Sequence, residues 1–111
     1  MTRSTTPMYS RLLLTGAAGG LGRELRPRLK SRCDVLRVSD LGNLGNAGPG
    51  EEVMPAALQD RPAVFKLLEG VDAVVHLGGI STEQPFDDIV QANIIGAYNL
   101  YEGARMHGTR R

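Results

Sequence analysis

The sequence predicts an α/β fold, with about four strands in a parallel sheet of order 3-2-1-4 and helices flanking it. Short apolar segments alternate with amphipathic segments along the chain, which is typical of strand–helix–strand units. The first apolar segment, Arg11–Thr15, runs directly into a glycine-rich stretch, as the first strand of a doubly wound sheet does. We therefore interpret residues 10–111 as one domain, a truncated half of a doubly wound sheet, and residues 1–9 as a disordered tail.

The glycine-rich stretch follows the first strand and carries glycines spaced three apart. Gly16 allows a tight turn, Gly19 lets backbone N–H groups approach an anion, and Gly22 lets the next helix pack close to the strand. The N-terminus of that helix offers unpaired N–H donors and a partial positive charge. These features predict a pyrophosphate site in a Rossmann-type domain. A turn that only joins a strand to a helix is the alternative, and the motif alone does not decide between them.

The remaining elements follow from apolar periodicity and from residues that begin or end helices and strands. We expect Pro27 to kink or shorten the first helix, because proline removes one backbone hydrogen bond. The expected elements are a helix over about Leu21–Ser31, a strand at Val35–Val38, a loop over Leu41–Gly50, a weak strand at Glu52–Met54, a helix over Arg61–Glu69 capped by Asp60, a strand at Ala73–Leu77, and a long helix over about Phe86–Met106 ended by Gly108.

Asp40 ends the second predicted strand. A carboxylate at this position can accept hydrogen bonds from the hydroxyls of an adenosine ribose, and it repels a 2′-phosphate. Together with the glycine turn, Asp40 predicts binding of NAD in preference to NADP. Arg23 and Arg37 are candidates for attracting a 2′-phosphate and would weaken that preference. A solvated turn residue is the alternative role for Asp40.

Polar and glycine residues also mark the carboxyl end of the fourth strand and the long helix after it. Gly78 and Gly79 follow the strand at the sheet edge where ligands bind in open parallel sheets, although an ordinary turn is the alternative. We interpret His76 as a structural residue, because the sequence places no carboxylate beside it. Asn93 falls on the helix stripe expected to face the sheet, where a buried amide needs partners, either functional groups or backbone.

Composition excludes several classes of protein. The 111 residues carry a net charge of +1, with 41% hydrophobic and 23% charged residues, which fits one small globular domain and gives no case for nucleic acid binding. No apolar run is long enough for a membrane span, and residues 1–10 lack the apolar centre of a secretory signal. Cys33 is the single cysteine, so we expect no disulfide framework and no metal site. These observations lead us to expect a cytoplasmic protein.

Four segments occur together in the sequence: Thr15–Gly22, the strand-end Asp40, His76–Ser81 and Asn93–Glu102. Together they resemble the NAD-dependent epimerase/dehydratase group of the extended short-chain dehydrogenase/reductase superfamily, and within it the uronate dehydrogenases. The resemblance covers nearly all of residues 10–108. It implies oxidation of a hexuronic acid, glucuronate or galacturonate, at C1 to an aldarolactone, with hydride transfer to NAD. A non-catalytic dinucleotide-binding module and a fragment of a sugar-nucleotide epimerase or dehydratase are the alternatives.

The resemblance also implies roles for individual residues. Those that would line the pyrophosphate are Gly16, Gly19, Gly20, Leu21 and Gly22. Those that would contact the adenosine half of the cofactor are Asp40, Leu41 and Leu58. Those that would run along the cofactor toward its nicotinamide half are Leu77, Gly78 and Gly79. Asn93 would lie behind the catalytic centre, and Ser81 would approach the substrate.

The sequence departs from the family's pattern in ways that affect function. Ala57 stands where the family usually has an aspartate that contacts the adenine amine, so that contact is lost, and Pro27 is foreign to the first helix. The family's catalytic Ser and Tyr-x-x-x-Lys have no counterpart here, since no Tyr is followed four residues later by Lys. We therefore assign no catalytic residue and expect this chain alone to be inactive, with a sugar acid bound only in a complete enzyme. The unpaired fourth strand leads us to expect self-association or a partner chain.

Overall fold

The computed structural model describes residues 9–78 and 96–109. The strands are β1 (Tyr9–Thr15), β2 (Cys33–Ser39), β3 (Glu51–Val53) and β4 (Ala73–His76). The helices are α1 (Gly20–Leu29), α2 (Arg61–Leu67) and α3 (Gly96–His107), with a 3-10 turn at Lys30–Arg32 after α1. Residues 1–8 of the expected tail and residues 86–95 of the expected long helix lie outside the described residues.

The sheet has the strand order β3-β2-β1-β4, and all its described pairs are parallel, which confirms the predicted topology. β1 lies inside the sheet, where Leu12 is paired with Leu36 of β2 and with Ala73 of β4. An inner strand of a parallel sheet is covered on both faces, which is why β1 reads as an apolar run rather than an alternating one.

Side chains that alternate along β1 build a core on each face of the sheet. Leu12 and Leu14 belong to one core, against which Leu29 of α1 also packs. Leu13 points to the opposite face and belongs to a second core with residues of α2 and with Leu100 of α3. The sheet is therefore covered by α1 on one face and by α2 and α3 on the other, as crossover connections require.

Helix boundaries differ from the sequence prediction by a few residues. α1 ends at Leu29 rather than Ser31 and continues for two residues beyond Pro27. The spacing of Leu21, Leu25 and Leu29 predicts that they share one apolar stripe of the first helix, but Leu21 is 60% exposed.

The predicted caps of the later helices are confirmed, although their lengths are not. The Asp60 side chain accepts a hydrogen bond of 3.3 Å from the amide of Ala63, so it caps α2. α2 ends at Leu67 rather than Glu69, and Gly70 follows with a positive φ of 74°. Gly108, with φ of 70°, follows α3 as expected.

Strand boundaries also differ from the prediction by one or two residues. Tyr9 begins β1 and pairs with Cys33, so it belongs to the sheet and not to the expected tail. β2 is longer than predicted, because Cys33 and Ser39 at its ends still pair with β1. No helix within residues 9–78 and 96–109 has the length and apolar character needed to cross a membrane.

Arg26 anchors both β3 and the loop that precedes it onto α1. Arg26 donates from Nε and Nη2 to the two carboxylate oxygens of Glu51 at 3.0 and 2.9 Å, and from Nη1 to the carbonyl of Leu44 at 2.7 Å. Hydrogen bonding from Arg26 is the largest cause that lowers the pKa of Glu51 to about 2, while burial opposes the shift. The segment between β2 and β3 forms no helix or strand, as predicted, but its residue Leu44 is buried in the core.

Candidate functional site

A cleft of about 370 Å³ opens at the carboxyl edge of the sheet, where β1, β2 and β4 end. Loops from three different elements form its walls, which is the place where ligands bind in open α/β sheets. The residues that line it are Gly16, Ala18, Gly19, Asp40, Gly42, Leu77 and Gly78.

Two glycines of the β1–α1 turn are required by the fold itself. Gly16 has a positive φ of 69°, and a Cβ there would lie 2.5 Å from the carbonyl carbon of Leu77. A Cβ at Gly22 would collide with the carbonyl oxygen of Gly16 and lie 2.7 Å from Cα of Ala17. These positions let the turn reverse and let α1 pack directly on it, as the sequence predicted.

The other two glycines of the turn are not required by the protein's own packing. Gly19 has ordinary extended backbone angles, with φ of −75°, and a Cβ there would make only one contact, at 3.5 Å. A Cβ at Gly20 would meet no atom within 4 Å. Both residues are exposed. The turn therefore leaves open space above its backbone, in the place where a bound anion would need it.

The N-terminus of α1 borders this open space. Its N-cap residue is Gly19, which has no side chain to accept a backbone hydrogen bond, and the first turn carries no acidic residue. Unpaired N–H groups and the helix dipole together give such an end a partial positive charge. The residues present therefore fit a phosphate group, which would supply the acceptors that the helix lacks.

The Asp40 carboxylate faces the turn from the end of β2. Its Oδ2 accepts a hydrogen bond of 2.9 Å from the amide of Ala18, and its Oδ1 accepts bonds of 2.6 and 3.1 Å from the amides of Leu41 and Gly42. A carboxylate offers about four acceptor sites, so one remains on Oδ2 for a ligand hydroxyl. Asp40 is half-buried and lines the cleft, so that acceptor is accessible.

The third wall of the cleft is the backbone after β4, which the Thr15 side chain holds. Thr15 Oγ1 accepts hydrogen bonds of 3.0 Å from the amides of Leu77 and Gly78, and the Leu77 amide also lies 3.3 Å from the Thr15 carbonyl. His76 Nδ1 lies 2.6 Å from the same hydroxyl. Burial lowers the pKa of His76, which favours the neutral ring.

The remaining predicted site residues occupy different surroundings. Leu41 is 74% exposed beside the cleft, and Leu21 is exposed on the first turn of α1. Leu58 lies behind the third wall, since a Cβ at Gly78 would be 2.7 Å from its Cδ1. The predicted residues Gly79, Ser81 and Asn93 lie outside the described residues.

Asn99 is a buried polar residue that the sequence analysis missed. It is 3% exposed, and its Nδ2 donates a hydrogen bond of 3.1 Å to the carbonyl of Leu58. The amide therefore links α3 to the loop after β3, next to the third wall. The signal in the sequence is its neighbour Leu100, an apolar residue that is also 3% exposed.

Arg37 is not available to bind a 2′-phosphate. The expectation that it would reduce the preference for NAD is therefore not supported. It is 7% exposed on the face of the sheet that α2 covers. Its guanidinium donates to Glu52 at 3.0 Å and to the carbonyls of Leu67 and Glu69 at the end of α2. Arg23 is exposed on α1, and nothing in the described residues draws it toward Asp40.

Comparison with known proteins identifies the family to which this architecture belongs. The model of the NAD dependent epimerase/dehydratase family matches residues 12–111. A curated uronate dehydrogenase from Pseudomonas putida is 54% identical over 108 residues, which cover 96% of this chain and 40% of the relative. The chain thus spans about 40% of the length of the curated relatives it matches.

Solved structures agree with this relationship. The crystal structure of uronate dehydrogenase from Agrobacterium tumefaciens superposes with a TM-score of 0.88 at 54% identity, covering 91% of this chain and 38% of that one. A variant of that enzyme, crystallised in complex with NAD, superposes with a TM-score of 0.87 at 55% identity, covering 90% and 38%.

Proposed function

Since the chain belongs to the NAD dependent epimerase/dehydratase family, we propose that it forms the NAD-binding portion of an oxidoreductase of the uronate dehydrogenase type. The observation that carries this proposal is the open, uncapped N-terminus of α1 facing the Asp40 carboxylate across the cleft. The dinucleotide needs a donor-rich surface for its pyrophosphate and an acceptor for its adenosine ribose. Both surfaces line the same cleft.

The proposed binding mode follows from these surfaces. The pyrophosphate lies against the first turn of α1, over Gly19 and Gly20, with Leu21 and Gly22 supplying further amides. The free acceptor of Asp40 takes a ribose hydroxyl, and Leu41 and Leu58 flank the adenosine half. The nicotinamide half extends past Leu77 and Gly78 toward Gly79 and Asn93. Bound NAD supplies the hydride acceptor.

The proposed reaction of the complete enzyme is oxidation of a hexuronate at C1. The C1–H bond gives its hydride to the cofactor, the C1 hydroxyl gives its proton to a base, and the product is the aldarolactone. This chain's residues bind and orient the cofactor, and we propose that Ser81 approaches the substrate. We also propose that the protein works in the cytoplasm.

Calorimetric titration of the chain with NAD and with NADP tests the cofactor proposal. We expect NAD to bind weakly and NADP to bind more weakly still, because Asp40 repels a 2′-phosphate and Ala57 offers no polar contact to adenine. Tighter binding of NADP than of NAD would overturn the role of Asp40. A polypeptide of these 111 residues should bind NAD without forming NADH from glucuronate or galacturonate, which absorbance of NADH would detect.

A further inference from the structure

The Thr15 hydroxyl takes part in more contacts than a strand-end threonine needs. It lies 3.0 Å from the amide nitrogens of Leu77 and Gly78 and 2.6 Å from Nδ1 of His76. Thr15 is 1% exposed, so solvent does not compete for these contacts. The hydroxyl therefore joins the end of β1 to the backbone that forms the third wall of the cleft.

The hydrogen count of this group fixes the direction of each bond. A hydroxyl has one proton to donate and two lone pairs that accept. The two amides can only donate, so they take both lone pairs and leave the proton for His76. Nδ1 must then be an acceptor, which means that the ring is neutral and carries its proton on Nε2. The low pKa that burial gives His76 agrees with a neutral ring.

We infer that His76 is a positioning residue for the dinucleotide cleft. Its Nδ1 accepts a hydrogen bond from the Thr15 hydroxyl, which leaves both oxygen lone pairs to accept from the amides of Leu77 and Gly78. Without an acceptor at Nδ1, the hydroxyl is free to rotate, and its lone pairs no longer point at the two amides together. The backbone of Leu77 would then lose its fixed distance from Gly16, whose absent Cβ marks how closely the two segments approach. This inference rests on the proposed function, because the cleft is the proposed cofactor site.

The tautomer can be measured in the full chain without a substitution. In ¹⁵N-histidine-labelled protein, we expect the Nδ1 resonance of an unprotonated imidazole nitrogen and the Nε2 resonance of a protonated one. A protonated Nδ1 at neutral pH would overturn the inference, whether or not the protein binds NAD.

Matched variants test the consequence for the cleft. His76→Phe and Thr15→Val remove the bond, whereas His76→Asn places an oxygen near the position of Nδ1 and Thr15→Ser keeps the hydroxyl. We expect amide hydrogen exchange at Gly78 to be on the order of tenfold faster in the first pair, and NAD affinity to fall by about the same factor. The change at Leu77 should be smaller, because its amide also lies 3.3 Å from the Thr15 carbonyl. The second pair should stay close to wild type in both measurements.

The outcomes separate this inference from the proposed function. Faster amide exchange in His76→Phe with rescue in His76→Asn supports the positioning role even if the wild-type chain binds no NAD, and in that case the proposed function fails alone. Unchanged exchange and unchanged NAD affinity in a folded His76→Phe protein would overturn the positioning role and leave the proposed function intact. Thermal unfolding of each variant shows whether it is folded.

Discussion

The Asp40 carboxylate accepts a hydrogen bond of 2.9 Å from the amide of Ala18, so the end of β2 is bonded directly to the glycine turn after β1. The bond explains how one aspartate can serve both the fold and a ligand. It orients the carboxylate toward the cleft and leaves one acceptor site open. The proposed pyrophosphate surface and the proposed ribose acceptor are therefore joined by a hydrogen bond in the protein itself.

Replacing this aspartate should weaken binding of NAD. Asp40→Ala removes a charged acceptor from the cleft, which costs about 1–3 kcal/mol of binding free energy. Calorimetric titration measures the loss, and the ratio of NAD to NADP affinity should fall as well, because the repulsion of a 2′-phosphate disappears. Asp34→Ala is the matched control, since Asp34 is exposed at the other end of β2. Equal effects of the two variants would contradict the role of Asp40.

Substitutions in the glycine turn should separate binding from folding. Gly19→Val places its side chain in the open space over the turn, so NAD affinity should fall by at least about tenfold while the free energy of unfolding changes by less than about 1 kcal/mol. Gly22→Ala should instead lower the free energy of unfolding by about 1–3 kcal/mol, because its Cβ collides with the turn. Urea unfolding and calorimetry measure the two quantities on the same samples. A Gly19→Val protein that binds NAD normally would show that the pyrophosphate lies elsewhere.

The sequence predicted the strand order, the glycine turn and the place of Asp40, because each depends on local pattern and on general rules of parallel sheets. It did not predict the partners of Arg37, which was expected near the cofactor. Arg37 lies on the face opposite to Leu36 and Val38, and that face is covered by α2, whose position depends on residues far along the chain. The bonds of Arg26 to the later loop were also missed, since contacts between residues far apart in sequence leave no periodic signal.

Arg37 should matter for stability and not for the choice of cofactor. Arg37→Met leaves the carbonyls of Leu67 and Glu69 without their buried donor, so the free energy of unfolding should fall by about 1–3 kcal/mol. The ratio of NAD to NADP affinity should stay within about twofold of wild type. Arg23→Met, on the exposed side of α1, is the control and should change stability by less than about 0.5 kcal/mol. A selective loss of NADP binding in Arg37→Met would show that the guanidinium reaches the cofactor.

Stability should fall in acid because of Glu51. Its pKa is about 2 in the folded chain, against an ordinary value of 4.5, so its contribution is complete above about pH 4.5 and is lost as the pH falls toward 2. A shift of this size corresponds to roughly 3 kcal/mol. Urea unfolding between about pH 6 and pH 3 should show the decline, and it should be flatter in Glu51→Gln.

Glu24→Gln is the control for the acid prediction. Glu24 is 71% exposed and lies 3.8 Å from Arg28, so it forms only a surface ion pair. Its replacement should leave the pH profile of wild type unchanged. The same profile in Glu51→Gln as in wild type would mean that another carboxylate causes the acid loss.

Self-association remains a prediction about the outer edge of the described sheet. β4 is the last strand there, and Val74 and Val75 are apolar, so the edge can pair with another chain. Tyr101, 71% exposed on α3, adds apolar surface. Light scattering at micromolar concentration should detect association, and Tyr101→Lys should reduce it if the helix contributes. A monodisperse monomer with a cooperative thermal transition would contradict the prediction.

The bond between Arg26 and Glu51 has a consequence for the mechanics of the cleft. It ties β3 to α1, a further bond from Arg26 to the Leu44 carbonyl ties the loop after β2 to α1, and the bond from Ala18 to Asp40 ties the same loop to the turn. Two walls of the cleft are therefore joined to each other. The wall at Leu77 is attached to these two walls through β4 pairing and the Thr15 side chain. If a dinucleotide needs more room, we therefore expect the cleft to widen between β1 and β4, where the wall at Leu77 joins the other two walls.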